Sequence, residues 1–331
     1  LTTKSFSTEL LNLGLLNLGF GRVRIPQERV RIIATPEEYY REPISGPIGS
    51  AGIFRWEPEN PTDMHIYVIG NPDTNTIDPT AVRRLVHEGV HWHSHEKTHA
   101  PQSIGGINAT NGYEIVTRTT GLSEIISLTR YFSGLNEAAT ERFTGMIFQQ
   151  EKVRRRIQDV SSFTLRDRIT RPFAETANLL SSLSEDNAYT RYIRIMDSIV
   201  QRLATHTQKS PDDLWKLITQ GLFDRKKTTE IFSLIKSVYG DQGLIMLSLL
   251  GVQFPTENPL LEADRSRVVA RTEAIASFFS EEIRDDSGAQ NEMFEIALET
   301  VPLKSKFEVQ RMHHIVQQTF LNPPSRRYGS R

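Results

Sequence analysis

The chain has 331 residues, 38% hydrophobic and 24% charged, with a formal net charge of −1 and no cysteine. That length can bury one large core or two ordinary ones, and the composition reads as soluble and globular. Lack of cysteine excludes disulfides, thiol nucleophiles and cysteine-type metal sites, and the balanced charge gives no expectation of a nucleic-acid partner.

In chain order, Leu10 to Phe20 reads as a short helix and a turn. Arg29 to Ile33 alternates like a strand, and Thr35-Pro36-Glu37-Glu38 starts a helix, with Thr as cap and Pro at the first helical position. A Pro/Gly/Ser loop over 43–50 leads to strands over 51–56 and 64–69, which can form a hairpin. Asp78-Pro79 opens a helix that runs to about Glu96. A Gly/Asn-rich loop over 101–112 and a strand over 113–119 follow, and from Ser123 nearly everything reads helical. Breaks are expected near Ser133-Gly134, Ser161–Phe163, Glu185–Asn187, Ser210-Pro211, Gly240 and Pro255. The basic run Lys152 to Arg156 reads as the exposed face of a helix. No stretch is long enough to span a membrane. The chain begins at Leu1 rather than Met, as a trimmed or processed chain would. Cysteine-free chains suit a reducing cytoplasm and equally delivery or secretion without disulfides, so the compartment stays open, as does the oligomeric state.

Residues 87–91 read His-Glu-Gly-Val-His, an H-E-x-x-H pattern. On a helix, positions i and i+4 share a face, so His87 and His91 can reach one metal ion. Glu88, turned by about 100°, is placed to take a proton from zinc-bound water. His93, His95 and His99 are expected to be exposed or to flank the site. The metzincin extension is absent, because Ser94 and Lys97 stand where it needs Gly and His. A catalytic zinc takes three protein ligands, so one more is needed.

Residues 136–141 read Asn-Glu-Ala-Ala-Thr-Glu. Alone, this also reads as an ordinary helix start with acids near its N-terminus. After the H-E-x-x-H helix it resembles the Asn-Glu-x-x-Ser/Thr-Asp/Glu helix of gluzincin metallopeptidases. That resemblance implies Glu137 as third zinc ligand and Glu141 as acceptor of a ligating histidine's N–H, with Thr140 or Asn136 fixing the backbone nearby. It also implies an oxyanion stabiliser from the helical half, Tyr189 ahead of Tyr192, with His206, His313 and His314 as further candidates.

The expected fold is α+β and zincin-like. A small N-terminal mixed sheet and the active-site helix occupy 1–120, and a helical subdomain over 121–321 carries Glu137. A flexible tail covers 322–331. Met64 to Ile69 would be the edge strand that receives an extended peptide. The implied activity is a zinc-dependent endopeptidase acting on a protein or peptide through zinc-bound water activated by Glu88. The alternatives are a catalytically idle zinc-binding interaction protein and a zinc hydrolase of a non-protein substrate.

Overall fold

A computed structural model describes residues 2–35, 37–38, 52–57, 60–72, 77–98, 107–120, 126–160, 188–252, 254, 257 and 261–321. The tail 322–331, the loop expected over 43–50 and the breaks expected at Ser161–Phe163, Glu185–Asn187 and Pro255 lie outside them. The chain forms two compact units, 1–99 with 138–191 and 100–137 with 192–331.

The first unit holds α1 (Thr3–Asn17), β1 (Val30–Ile33), β2 (Gly52–Glu57), β3 (Asn60–Ile69) and α2 (Pro79–Thr98). It also holds most of α3 (Ser133–Gln149) and all of α4 (Glu151–Val160). Thr2 and Ser5 cap the start of α1 reciprocally. Asp78 caps α2, its Oδ1 accepting from Thr80 N at 2.9 Å and Ala81 N at 3.2 Å, with Pro79 at the first helical position. The strand order is β1-β3-β2, with β1 parallel and β2 antiparallel to β3. Met64 to Ile69 is therefore central rather than an edge. The earlier strand β1 returns beside it in the register Val30↔Ile66, a long-range pairing that no local pattern encodes. Among the described residues, the edges of this sheet are β1 and β2.

Helix α2 packs on β2 and β3, and α1 packs on α2. Phe6, Leu10, Leu11 and Leu15 form the buried stripe of α1. Gly89 lets that stripe approach: a methyl group on it would sit 2.5 Å from Leu11 Cδ2. On α4, Val153 and Ile157 are buried while Lys152, Arg154 and Arg155 are exposed as a solvated face, and Arg156 at the end of the basic run pairs with Glu9 of α1 at 2.6 Å.

The second unit contains an antiparallel sheet in the order β4 (Ile107–Asn111), β5 (Glu114–Thr120), β6 (Ile126–Tyr131). The loop expected over 101–112 is thus strand over 107–111, and the helical reading from Ser123 fails over 126–131. Ile126-Ser-Leu-Thr129 alternates with period two before Arg130 and Tyr131 break the phase, and Ile115 pairs with Tyr131. Helices follow: the start of α3, then α5 (Ala188–Thr207), α6 (Pro211–Gly221), α7 (Arg225–Leu249), α8 (Glu262–Phe278), α9 (Ser287–Glu299) and α10 (Leu303–Val316). Ser210 caps α6, and Gly240 kinks α7 with φ +66°, both at expected breaks. Phe232 centres an aromatic core, with Phe132 at 4.9 Å, Phe320 at 5.2 Å and Tyr113 at 6.0 Å between ring centroids. Arg271 and Glu257 form a buried ion pair, and Arg271 Nη1 also donates to Val252 O at 2.9 Å. Among the described residues, no helix is long and apolar enough to cross a membrane.

The α1–α2 contact yields a direct check. Gly89→Val should lower the denaturant midpoint, because the added branches press on buried Leu11 and such overpacking costs about 1–3 kcal/mol. A midpoint equal to that of wild type would show that α1 does not rest on Gly89.

Candidate metal centre

Helix α2 is buried without interruption from Ala81 to His95. The buried residues include Arg83, Arg84, His87, Glu88, His91, His93, Ser94 and His95 as well as Ala81, Val82, Leu85, Val86 and Val90. Charge and hydrogen-bonding groups are costly to bury unless they are paired or hold a metal. The polar residues of this helix should therefore each have a defined job.

His87 and His91 stand one turn apart with ring centroids at 5.0 Å. Glu137 reaches the same place from α3, and one donor atom from each of the three lies within 4.8 Å of the others. Two imidazoles and a carboxylate suit a divalent transition metal. The site can hold such an ion.

The surrounding residues fix the donors. His87 Nδ1 donates to Glu141 Oε2 at 3.1 Å. A carboxylate can only accept, so the proton sits on Nδ1 and Nε2 keeps its lone pair for a metal. The other Glu141 oxygen pairs with Arg83, whose guanidinium also lies 5.3 Å from the Phe148 ring centroid. Burial alone would push the Glu141 carboxyl up, but the Arg83 charge and the His87 bond outweigh it and hold the group below the usual carboxylate range. The Thr140 hydroxyl lies 3.5 Å from His91 Nδ1, a long contact on the matching nitrogen of the second histidine. Glu137 and Glu141 are one turn apart on α3, so one helix face serves both the metal position and the histidine behind it. Arg83 escaped the sequence reading, although it lies four residues before His87 on the same face of α2.

Glu88 is outside this donor set and 5% exposed. Its carboxylate lies against the start of β2, where a methyl group on Gly52 would sit 2.8 Å from Glu88 Oε1. His93 and His95 are buried rather than exposed, and His95 lies 5.7 Å from Phe54 between ring centroids. Their burial follows from that of the whole helix. His99 is outside the described residues. Trp92 is buried 6.0 Å from Phe54, as core packing. The side chain of Tyr189 is outside the described residues, while the Tyr192 hydroxyl lies 3.2 Å from where a methyl group on Gly251 would sit. His206 and His314 are exposed, and His313 lies 3.7 Å from Asp241.

Metal titration separates these roles. Wild type should bind about one divalent ion per chain, and His87→Ala and Glu137→Ala should abolish tight binding. Glu141→Ala should weaken binding about 10–100-fold by freeing the imidazole. It should also cost about 3–5 kcal/mol of stability, because it breaks a buried ion pair. Wild-type affinity in Glu137→Ala would remove Glu137 from the donor set.

Comparison with protein-family models, with curated proteins and with solved structures finds no match for this chain, so the chemistry of the site rests on its own residues.

Proposed function

We propose that the protein is a zinc-dependent endopeptidase that hydrolyses peptide bonds of a protein or peptide. The observation that carries this reading is the position of Glu88. It is a buried carboxylate directly after the donor His87 in sequence, outside the donor set, and placed against the edge strand β2. A purely structural metal site would have no use for that group.

The donor set His87, His91 and Glu137 favours zinc, which takes imidazole and carboxylate ligands and uses three protein ligands in catalytic sites. Bound there, zinc would supply Lewis acidity, polarising a peptide carbonyl and easing deprotonation of the attacking water. Glu88 takes the proton from that water as its oxygen bonds to the carbonyl carbon. It then delivers the proton to the amine nitrogen as the C–N bond breaks. Glu141 and Arg83 hold His87 in the required tautomer throughout. Among the described residues β2 pairs only with β3, so its other edge can accept an extended peptide by strand addition. The edge assigned to substrate is thus β2, in place of Met64 to Ile69. The likeness of His87–His91 and Asn136–Glu141 to the gluzincin motifs supports the same reading.

Glu88→Gln keeps the shape and removes the base. Cleavage of a random-peptide pool by the zinc-loaded variant should fall by about 10²–10⁴-fold, with zinc content and melting temperature little changed. Gly52→Ala presses on the same carboxylate from the strand side and should lower cleavage without loss of zinc. Undiminished cleavage by Glu88→Gln would end the proposed mechanism. A zinc-loaded wild type that cleaves nothing in the pool would favour the idle interaction protein.

A further inference from the structure

Glu137 lies in the second turn of α3, close to an end that would ordinarily fray. The backbone before it is held from two sides within the second unit. On one side, the β4–β5 hairpin turns over Gly112-Tyr113, between the paired residues Asn111 and Glu114. Gly112 takes φ +57°, the left-handed conformation that a two-residue hairpin loop needs. At the tip, Tyr113 N–H donates to Asn136 Oδ1 at 3.0 Å, and both residues are buried. The Tyr113 hydroxyl donates to Ile218 O on α6 at 2.8 Å. Glu114 accepts from Ser133 Oγ at 3.1 Å and from Arg130 Nη1 at 2.9 Å. On the other side, Phe132 N–H and Gly134 N–H donate to Ser248 O and Leu250 O at 2.9 and 2.8 Å. Phe132 has φ +62°, a conformation that costs a bulky residue energy and persists only where the surroundings enforce it.

We propose that the tip of the β4–β5 hairpin is a positioning element for the metal ligand Glu137, acting through Asn136; this rests on the reading of Glu137 as a ligand. Metal sites tolerate errors of only a few tenths of an ångström in their donors. A ligand near a helix end meets that demand only if the end is fixed. Here the residue directly before the ligand is bonded to a hairpin whose tip is itself anchored on α6. Gly112 is part of the device: a methyl group there would sit 2.5 Å from Asn136 Oδ1 and 3.0 Å from Leu222 Cδ2.

The test compares Asn136→Ala, Gly112→Ala, Tyr113→Phe and the control Gly240→Ala. The control places alanine at another left-handed glycine of the same unit, φ +66°, with nothing within 4 Å of the new methyl group. Zinc affinity is read by chelator competition, donor geometry by the visible absorption of the cobalt-substituted protein, and stability by melting temperature. Asn136→Ala and Gly112→Ala should weaken zinc about 10–100-fold and shift the cobalt spectrum. Tyr113→Phe should do so to a smaller extent. Gly240→Ala should lower the melting temperature and leave both metal readouts unchanged. If Gly112→Ala or Asn136→Ala fails to fold, Tyr113→Phe decides. Wild-type zinc affinity and cobalt spectrum in the folded hairpin variants would overturn the proposal, as would an equal loss in Gly240→Ala. A wild type that binds no zinc would instead remove the metal reading on which the proposal stands.

Discussion

Burying a helix on every side while it carries charge is the constraint around which the first unit is built. Helix α2 meets it by giving three of its four-residue rows different neighbours. Arg83, His87 and His91 form the row that meets Glu141 and Thr140 of α3. Arg84, Glu88 and Trp92 form the row toward the sheet: Arg84 Nη1 donates to Ile69 O at the end of β3, Glu88 lies against Gly52, and Trp92 lies near Phe54. The row of Gly89 meets Leu11 of α1 and Ile25. An α-helix with 3.6 residues per turn presents such rows as adjacent ridges, so a one-residue shift would move every charge onto a neighbour unable to pair with it. The positions of His87 and Glu88 therefore depend on packing far from the metal centre, in α1 and in the sheet.

The site was more legible in the sequence than the sheets were, and the difference is physical. His87, Glu88 and His91 are fixed by the local period of one helix, as is the Glu137–Glu141 spacing of another. Asp78-Pro79 marks a helix start whatever lies elsewhere in the chain. Strand order has no such local record. The central place of β3 depends on β1 returning beside it, and the strand character of 126–131 depends on the partner β5. The Asn111-Gly112 pair is a hairpin signal, yet it needs strands on both sides to be read as one, and Ile107 to Asn111 is short and polar. The burial of His93 and His95 was hidden for a related reason. Polar residues look solvated by composition, and only the elements stacked on all sides of α2 bury them.

Three carboxylates accompany the two histidines on α2 and α3, and their environments divide the work the proposed chemistry requires. Glu137 lies in the donor set, where an ion would hold it ionised. Glu141 is kept charged by Arg83 and by the His87 N–H. Held ionised by both partners, that carboxylate is already committed to the His87 N–H and the Arg83 guanidinium. It serves as a fixed acceptor. Proton transfer is the part proposed for Glu88, whose carboxylate lies against Gly52 at the start of β2. Its neighbour there, Gly52, has no side chain to displace the carboxylate, and the same strand carries the sheet edge on which a peptide would lie. In the proposed mechanism, base and substrate edge would thereby be fixed to each other through a single residue, so a change at Gly52 would move the proton carrier relative to the bond it must serve.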